Sequence, residues 1–216
     1  IFHSGSNRLE PLKRRGISKI PLSRTKWILV PSAPPIEFKE PIDVAIFTPE
    51  HTLTPGMLAG IRDTMKKKSN PGETTMLAIA NHSGVLSDFY NYDGKGTLFT
   101  GGRQRAGIVL ALGKGIDVSK AQIEIDGGFE WANDAVIAEV KSSFSQPDFD
   151  LNQALIPVLK WRQLLPQKKV CSLVLLGETN PQGIEYRAYD LEIDIKNGVA
   201  AMKILKAKKY VIEVAY

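Results

Sequence analysis

Two short alternating stretches, close together in the chain, constrain the fold more than any other feature of the sequence. The first runs from Gln122 to Asp126 and the second from Ala135 to Lys141, and turn-forming residues lie between them. Successive side chains of a β-strand point to opposite faces, so a period of two predicts a strand in each stretch. The chain is therefore predicted to contain a sheet in which these two strands form a hairpin.

The charged residues of the two predicted strands share a face. Glu124 and Asp126 lie on one face of the first strand, and Glu139 and Lys141 lie on one face of the second. If the hairpin closes tightly at residues 132–133, Asp126 lies opposite Glu139 and Glu124 lies opposite Lys141. Opposed Cβ atoms are roughly 4.5–5.5 Å apart, so three carboxylates and one ammonium would form a single patch.

Such a patch is unfavourable without a cation. Two carboxylates that share a site repel each other, and one of their pKa values normally rises. Mg²⁺ would relieve the repulsion because it takes oxygen ligands and keeps several waters. A solvated hairpin with a charged exposed face is the simpler alternative on the pattern alone. Asp134 is a rival carboxylate, but its odd separation from Glu139 puts it on the other face of the strand.

The stretch IEIDGGFEW…AVIAEVK resembles the PD-(D/E)XK motif of Mg²⁺-dependent nucleases, and in particular that of type II restriction endonucleases. Asp126 is followed, after twelve residues, by Glu139, Val140 and Lys141. Ile125 stands where the motif usually has proline. The next segment is similar to the helix after the catalytic lysine of those enzymes, in residues 148–153, Pro157 and Trp161.

The resemblance implies a role for each residue of the motif. Asp126 and Glu139 would bind Mg²⁺, for which Mn²⁺ would substitute, together with the carbonyl of Val140. Lys141 would position or deprotonate the attacking water and stabilise charge in the transition state. Glu124 could complete a second metal site or pair with Lys141. Gln153 could orient the site from the following helix.

The resemblance also implies a function. It indicates a metal-dependent deoxyribonuclease, a type II restriction-like endonuclease that cuts double-stranded DNA at a specific sequence in a restriction-modification system. A palindromic target would call for a homodimer, and such enzymes are prokaryotic and cytoplasmic. Two alternatives stay open. One is another DNA nuclease of the superfamily, such as a repair or junction-resolving enzyme, and the other is a non-catalytic DNA-binding module.

Composition narrows the class of protein. With 216 residues, 43% of them hydrophobic, the chain supports one domain or a core with a small appendage. No stretch approaches the ~20 apolar residues that a membrane span requires, so no membrane association is predicted. The single cysteine, Cys171, permits no internal disulfide and lies in an apolar run. It is predicted to be buried rather than nucleophilic, in a reducing compartment.

Charge is distributed unevenly along the chain. Residues 1–40 contain eight Lys/Arg and three acids, whereas residues 121–160 contain seven acids and two lysines. This layout suits a nuclease, because the acids would attract a metal ion at the catalytic site and the basic residues elsewhere would attract DNA phosphates. We therefore predict a basic N-terminal region for DNA recognition or dimerisation over residues 1–75, and the PD-(D/E)XK core over residues 76–216. The predicted fold is α/β, a mixed central β-sheet flanked by helices as in restriction endonucleases, with an N-terminal appendage.

Local patterns predict individual elements. Thr54 is placed to cap a helix, with proline at its first position. A second helix begins after a cap at Asp148 or Asp150 and reaches about Leu165. Residues 74–80 fit either a buried strand or the start of a helix. Residues 184–195 are predicted as an outer strand. A polar loop is predicted over residues 101–105, and its side chains suited to reading base edges are Arg103, Gln104 and Arg105.

Overall fold

The structure is a computed structural model of the chain. It describes residue 12 and residues 15–33, 36–48, 53–67, 69–112, 114–144, 149 and 151–214. Strands account for most of the regular structure in these ranges. The strands are β1 (Ile17–Pro21), β2 (Trp27–Pro31), β3 (Val44–Phe47), β4 (Thr97–Arg105), β5 (Val109–Leu110), β6 (Ile116–Asp117), β7 (Gln122–Glu130), β8 (Asp134–Lys141), β9 (Lys169–Asn180), β10 (Gly183–Lys196) and β11 (Val199–Glu213), and the helices are α1 (Pro55–Lys66), α2 (Glu73–His82), α3 (Val85–Tyr90) and α4 (Leu151–Leu164).

A mixed seven-stranded sheet organises the described part of the chain, with the strand order β3-β11-β10-β9-β8-β7-β4. The pairs β4–β7, β7–β8, β9–β10 and β10–β11 are antiparallel, whereas β8–β9 and β3–β11 are parallel. A parallel pair needs a crossover, and α4 lies within the connection between β8 and β9. The α/β class with a mixed central sheet is thus confirmed. The expected outer position of residues 184–195 is wrong, because β10 lies between β9 and β11.

Each face of the sheet has its own hydrophobic core. One core packs against α4, and the other packs against α1, α2 and α3. Strand β8 serves both, because Ala135 and Ile137 belong to the α4 core while Val136, Ala138 and Val140 belong to the opposite one. By the same alternation, the odd-numbered positions 139 and 141 face the α4 side. Burial on both faces explains why β8 and β9 read as nearly continuous apolar runs.

Several local predictions can be compared with the structure. Thr54 caps α1 as predicted, since its hydroxyl accepts the Met57 N–H at 3.3 Å. The ambiguous segment 74–80 is helical, within α2. The loop expected at residues 101–105 is wrong, because these residues form the end of edge strand β4, which pairs with β7 through two register shifts. The predicted caps Asp148 and Asp150 lie outside the described residues, although the helix that they precede is present as α4.

The N-terminal part of the chain divides between an appended hairpin and the central sheet. Strands β1 and β2 form a separate two-stranded sheet, whereas β3 pairs with β11. The boundary predicted between residues 75 and 76 falls inside α2, and β3 and α1 before it belong to the central sheet and its cover. The recognition or dimerisation role of residues 1–75 stays a prediction. In the described ranges, no helix is long and apolar enough to cross a membrane.

Candidate active site

The β7–β8 hairpin has its turn where the sequence predicts, but its two strands are paired over fewer residues than expected. Residues 127–130 pair with residues 135–138 in the register of a tight turn at residues 132–133, which confirms that prediction. The described ladder ends at Gly127 and Ala138. The expected oppositions of Asp126 with Glu139, and of Glu124 with Lys141, are therefore wrong. Strand β7 is also longer than predicted, because it continues through the glycines to Glu130.

Beyond the last backbone pair of β7 and β8, the side chain of Asp126 bonds to the backbone of β8. The Asp126 carboxylate accepts the Val140 N–H at 2.7 Å. The N–H and C=O of one strand residue point towards the same neighbouring strand, so the Val140 carbonyl faces the β7 side as well. Asp126 thus both ends the pairing and lies beside the backbone of the residue between Glu139 and Lys141. The glycines that follow let β7 pack closely, since a Cβ on Gly127 would lie 2.5 Å from the Leu77 side chain.

Glu124 lies apart from the lysine that the sequence assigns to it. Strand β7 pairs with β4 over this stretch, and Glu124 is opposite Arg103. The Arg103 Nε lies 3.3 Å from the Glu124 carboxylate, with both side chains more than half exposed. Exposed pairs of this kind contribute little to stability, roughly 0–1 kcal/mol. Glu124 therefore makes a surface ion pair on the site's outer edge.

Three of the predicted residues do meet, around one carboxylate oxygen. The Lys141 Nζ lies 2.6 Å from Oε1 of Glu139, and the Gln153 Nε2 donates to the same oxygen at 2.5 Å. Glu139 and Lys141 are two residues apart on β8 and share its α4-side face. Gln153 reaches them because α4 crosses this face of the sheet. The Glu139 side chain is 8% exposed and that of Lys141 is 20% exposed, so both lie mostly out of water.

A residue that sequence reasoning missed joins this group. The Glu73 carboxylate lies 3.5 Å from the Lys141 Nζ, although the two residues are 68 positions apart. Glu73 is the first residue of α2, after Pro71 and Gly72. An acid in the first turn of a helix is already explained by the helix dipole, so the sequence held no separate sign of a site. The ammonium of Lys141 is thus held between the carboxylates of Glu73 and Glu139.

The electrostatics of the cluster reflect this crowding. Burial raises the pKa of Glu139 to about 7, and the nearby Asp126 adds to the rise while Lys141 opposes it. Burial also raises the pKa of Asp126, against the lowering effect of the Val140 N–H. For Lys141, burial favours the neutral amine, but the Glu139 and Glu73 carboxylates outweigh it and raise the pKa. Three acidic side chains, those of Glu73, Asp126 and Glu139, thus act on a single lysine.

The chain beyond Lys141 is fixed by contacts with β9 and the loop before α2. Glu178, near the end of β9, accepts hydrogen bonds from the Ser143 hydroxyl at 3.1 Å and the Phe144 N–H at 2.5 Å. Asn70 donates to the Ser142 carbonyl and accepts the N–H of the residue after Glu178. These bonds tie the end of β8 to the segment that leads into α2. They hold the Lys141 and Glu73 sides of the cluster together.

The donor set can be compared with the needs of a metal ion. Across the described ranges, no group of three or more His, Cys, Asp and Glu side chains is arranged to hold one. Mg²⁺ needs fewer protein ligands, because it is usually bound by one or two carboxylates and keeps several waters. Asp126, Glu139 and the Val140 carbonyl supply hard oxygen donors, and the excess negative charge favours a cation. In donor type and charge, these residues suit Mg²⁺ with most of its coordination left to water.

The fold is thus of the α/β class, and its carboxylate and lysine cluster lies where β7 and β8 separate. The chain belongs to the family described as a domain of unknown function, DUF6997, which matches residues 54–211. No curated protein and no solved structure matches the chain. The matched region begins at the cap of α1 and contains the whole cluster. It leaves out the β1–β2 hairpin.

Proposed function

We propose that the chain is a Mg²⁺-dependent, type II restriction-like endonuclease that hydrolyses phosphodiester bonds of double-stranded DNA. The observation that carries the proposal is the Lys141 ammonium held at 2.6 Å from Glu139 and 3.5 Å from Glu73, next to Asp126. A group of carboxylates around one lysine, partly open to solvent, supplies both a cation site and a donor for phosphate oxygens. The resemblance of the surrounding stretch to the PD-(D/E)XK motif assigns these groups to one reaction.

Each residue has a defined task in this proposal. Asp126, Glu139 and the Val140 carbonyl would hold Mg²⁺ or Mn²⁺, which supplies charge neutralisation at the phosphate and a lower pKa for water. The Lys141 ammonium donates to a phosphate oxygen or orients the attacking water. Gln153 fixes the rotamer of Glu139 from α4, because it donates to the oxygen that also contacts the lysine. Glu73 holds the lysine from the other side.

Sequence-specific recognition, a two-fold homodimer and a place in a prokaryotic restriction-modification system are parts of the same proposal. A palindromic target presents two equivalent strands, which two copies of one site can cut. The non-catalytic alternative is disfavoured by the site itself. Binding DNA does not require a cluster of carboxylates with raised pKa values, which repels phosphate when no cation is present.

Plasmid cleavage tests the proposal. Supercoiled DNA is incubated with the protein and Mg²⁺, and the nicked and linear products are measured over time. We expect cleavage by the wild type, loss in EDTA and a fall of at least about 100-fold in Asp126→Ala and Lys141→Ala. Asp134→Asn is the matched control. It removes a carboxylate from the face of β8 opposite Glu139 and Lys141, so this variant should cut DNA at the wild-type rate.

The variants also separate the alternatives. Asp126→Ala should retain binding to a duplex oligonucleotide while it loses cleavage. Preferential cutting of branched over linear DNA would transfer the protein to the junction-resolving alternative. Binding without cleavage by the wild type, under any divalent metal, would favour the DNA-binding module. Cleavage by Asp126→Ala at the wild-type rate would refute the assignment of the site.

A further inference from the structure

The β1–β2 hairpin carries a cationic surface that the candidate active site does not use. Arg15, Lys19, Arg24 and Lys26 lie on or beside its two strands. The sequence contains no acidic residue from position 11 to position 36. Elsewhere in the chain, basic residues such as Lys209 form ion pairs with acids. The hairpin is therefore a local concentration of positive charge with no acid of its own.

These four cations have no acidic partner within the described residues. Among those residues, no carboxylate lies within ion-pair distance of any of them. Arg15, Arg24 and Lys26 are exposed, and the Lys19 Nζ lies 3.9 Å above the centre of the Trp27 ring. A cation over an indole face keeps its charge and is held in place. Within the described residues the hairpin therefore presents positive charge that no carboxylate neutralises, and the Trp27 ring holds one of the four cations in place.

The two faces of the hairpin have different roles. Ile20 and Val30 are buried in the α4 core, so one side of the hairpin is anchored to the sheet. The strand register pairs Lys19 with Leu29, and Trp27 with the last residue of β1. Directly opposed residues share a face, and Lys19 and Leu29 are the chain neighbours of the buried Ile20 and Val30. Lys19, Leu29 and Trp27 therefore lie on the face of the hairpin that points away from the core. Trp27 is 39% exposed and Leu29 is 54% exposed. This outer side therefore combines apolar contact area with the Lys19 ammonium.

A hydrogen bond sets the hairpin beside the candidate active site. The Asn152 side-chain amide donates to the Lys19 carbonyl at 2.5 Å. The next residue of α4, Gln153, contacts Glu139. One end of α4 therefore holds both the hairpin and the active-site carboxylate. The hairpin lies outside the region that the family model matches, residues 54–211, and it has its own attachment to α4.

We propose that the β1–β2 hairpin binds the phosphate backbone of duplex DNA next to the site of cleavage. The inference rests on the proposed function and adds the element that holds the substrate. The cluster of Glu73, Asp126 and Glu139 repels phosphates, so attraction must come from a neighbouring surface. Lysine and arginine side chains that neutralise phosphates release condensed counterions, which supplies most of the sequence-independent affinity for DNA. Arg24 and Lys26, exposed at the turn of the hairpin, are placed for such contacts.

The salt dependence of binding tests the inference. Binding of the protein to a fluorescein-labelled duplex is measured by anisotropy in EDTA, over a series of salt concentrations. Each lost phosphate contact should reduce the slope of log K against log salt by about 0.9. We expect a reduction of about 0.9 in Lys26→Gln and about 1.8 in the double variant Arg24→Gln/Lys26→Gln. Both side chains are exposed, so an unchanged thermal transition should accompany the loss.

Lys95→Gln is the matched control. It removes one exposed lysine and the same net charge, but it lies in the loop whose Gly94 carbonyl accepts the Trp131 indole N–H, beside the β7–β8 turn. That turn is at the opposite end of β8 from Lys141. The control should leave the slope unchanged, which excludes a general effect of net charge. Trp27 supplies a second measurement, because duplex addition should quench tryptophan emission in the wild type and quench it less in Trp27→Phe.

The outcomes separate this inference from the nuclease assignment. Reduced slopes in the hairpin variants, with no plasmid cleavage by the wild type, would support the hairpin and refute the nuclease. Normal cleavage with unchanged slopes in both hairpin variants would refute the hairpin and leave the nuclease. Absence of duplex binding by the wild type would overturn the inference, as would hairpin variants that lose binding to anionic phospholipid vesicles but keep their affinity for the duplex.

Discussion

Replacing Glu139 by glutamine should stabilise the protein at alkaline pH and leave it nearly unchanged at acidic pH. The carboxylate is buried, and its pKa rises from 4.5 to about 7 in the folded state. At about 1.4 kcal/mol per pH unit, ionising Glu139 costs the folded state about 3 kcal/mol relative to the unfolded chain. Glutamine keeps an oxygen for Lys141 and Gln153 but cannot ionise, so it removes this cost.

The sign follows from the direction of the shift. A carboxylate with a raised pKa in the folded state holds its proton more tightly there, so its contribution to stability is complete below pH 4.5 and is lost between pH 4.5 and about 7. Above pH 7, Glu139→Gln should exceed the wild type in free energy of unfolding by about 1–3 kcal/mol, because Lys141 loses one partner and offsets part of the gain.

Urea unfolding in EDTA at pH 5 and pH 8 measures the difference. Glu124→Gln is the control, since it removes one exposed carboxylate from the neighbouring strand and so reports the general effect of charge. Equal effects of Glu139→Gln at the two pH values would refute the reasoning. In Mg²⁺ the wild type should recover stability at pH 8 and the variant should recover less, because a ligand that binds only the folded state stabilises it.

Two further predictions concern the elements that support the site. Thr54→Ala removes the hydroxyl that accepts the Met57 N–H at the start of α1; we expect a loss of about 1 kcal/mol in thermal or urea unfolding, and Thr54→Ser should restore most of it. Tyr186→Phe removes the hydroxyl that donates to the Met76 carbonyl of α2 at 2.9 Å; a loss of about 1 kcal/mol is expected in urea unfolding, and no change would show that the bond contributes nothing net.

The central elements of the site were predictable because they depend on local pattern. Alternation along β8 put Glu139 and Lys141 on one face and Asp134 on the other. The turn at residues 132–133 set the register of the four pairs next to it. The predicted pairing is wrong from Asp126 onwards, because the Val140 N–H donates to the Asp126 carboxylate instead of to the backbone of β7. The alternation of residues in a sequence does not indicate how many residues of two neighbouring strands are hydrogen-bonded.

Other parts of the site depended on contacts between distant segments. The segment 101–105 reads as a polar loop, because its glycines and charges are typical of turns, yet pairing with β7 makes it an edge strand. Its Arg103 then takes Glu124 as a partner and removes it from the lysine. Tertiary pairing overrides local preference here, since an edge strand exposes one side and tolerates charged residues.

By itself, the sequence determined which side chains share a face of β8, where α1 begins, and that a mixed sheet carries the carboxylates. These follow from the periods of strand and helix, which are properties of neighbouring residues. Only the tertiary structure decided that Glu73 reaches Lys141 from the first residue of α2, that Glu124 does not, and that Asn152 fastens the β1–β2 hairpin beside Gln153. Such contacts depend on how helices and strands pack on the two faces of the sheet, and residues far apart in the chain carry no local signal of meeting.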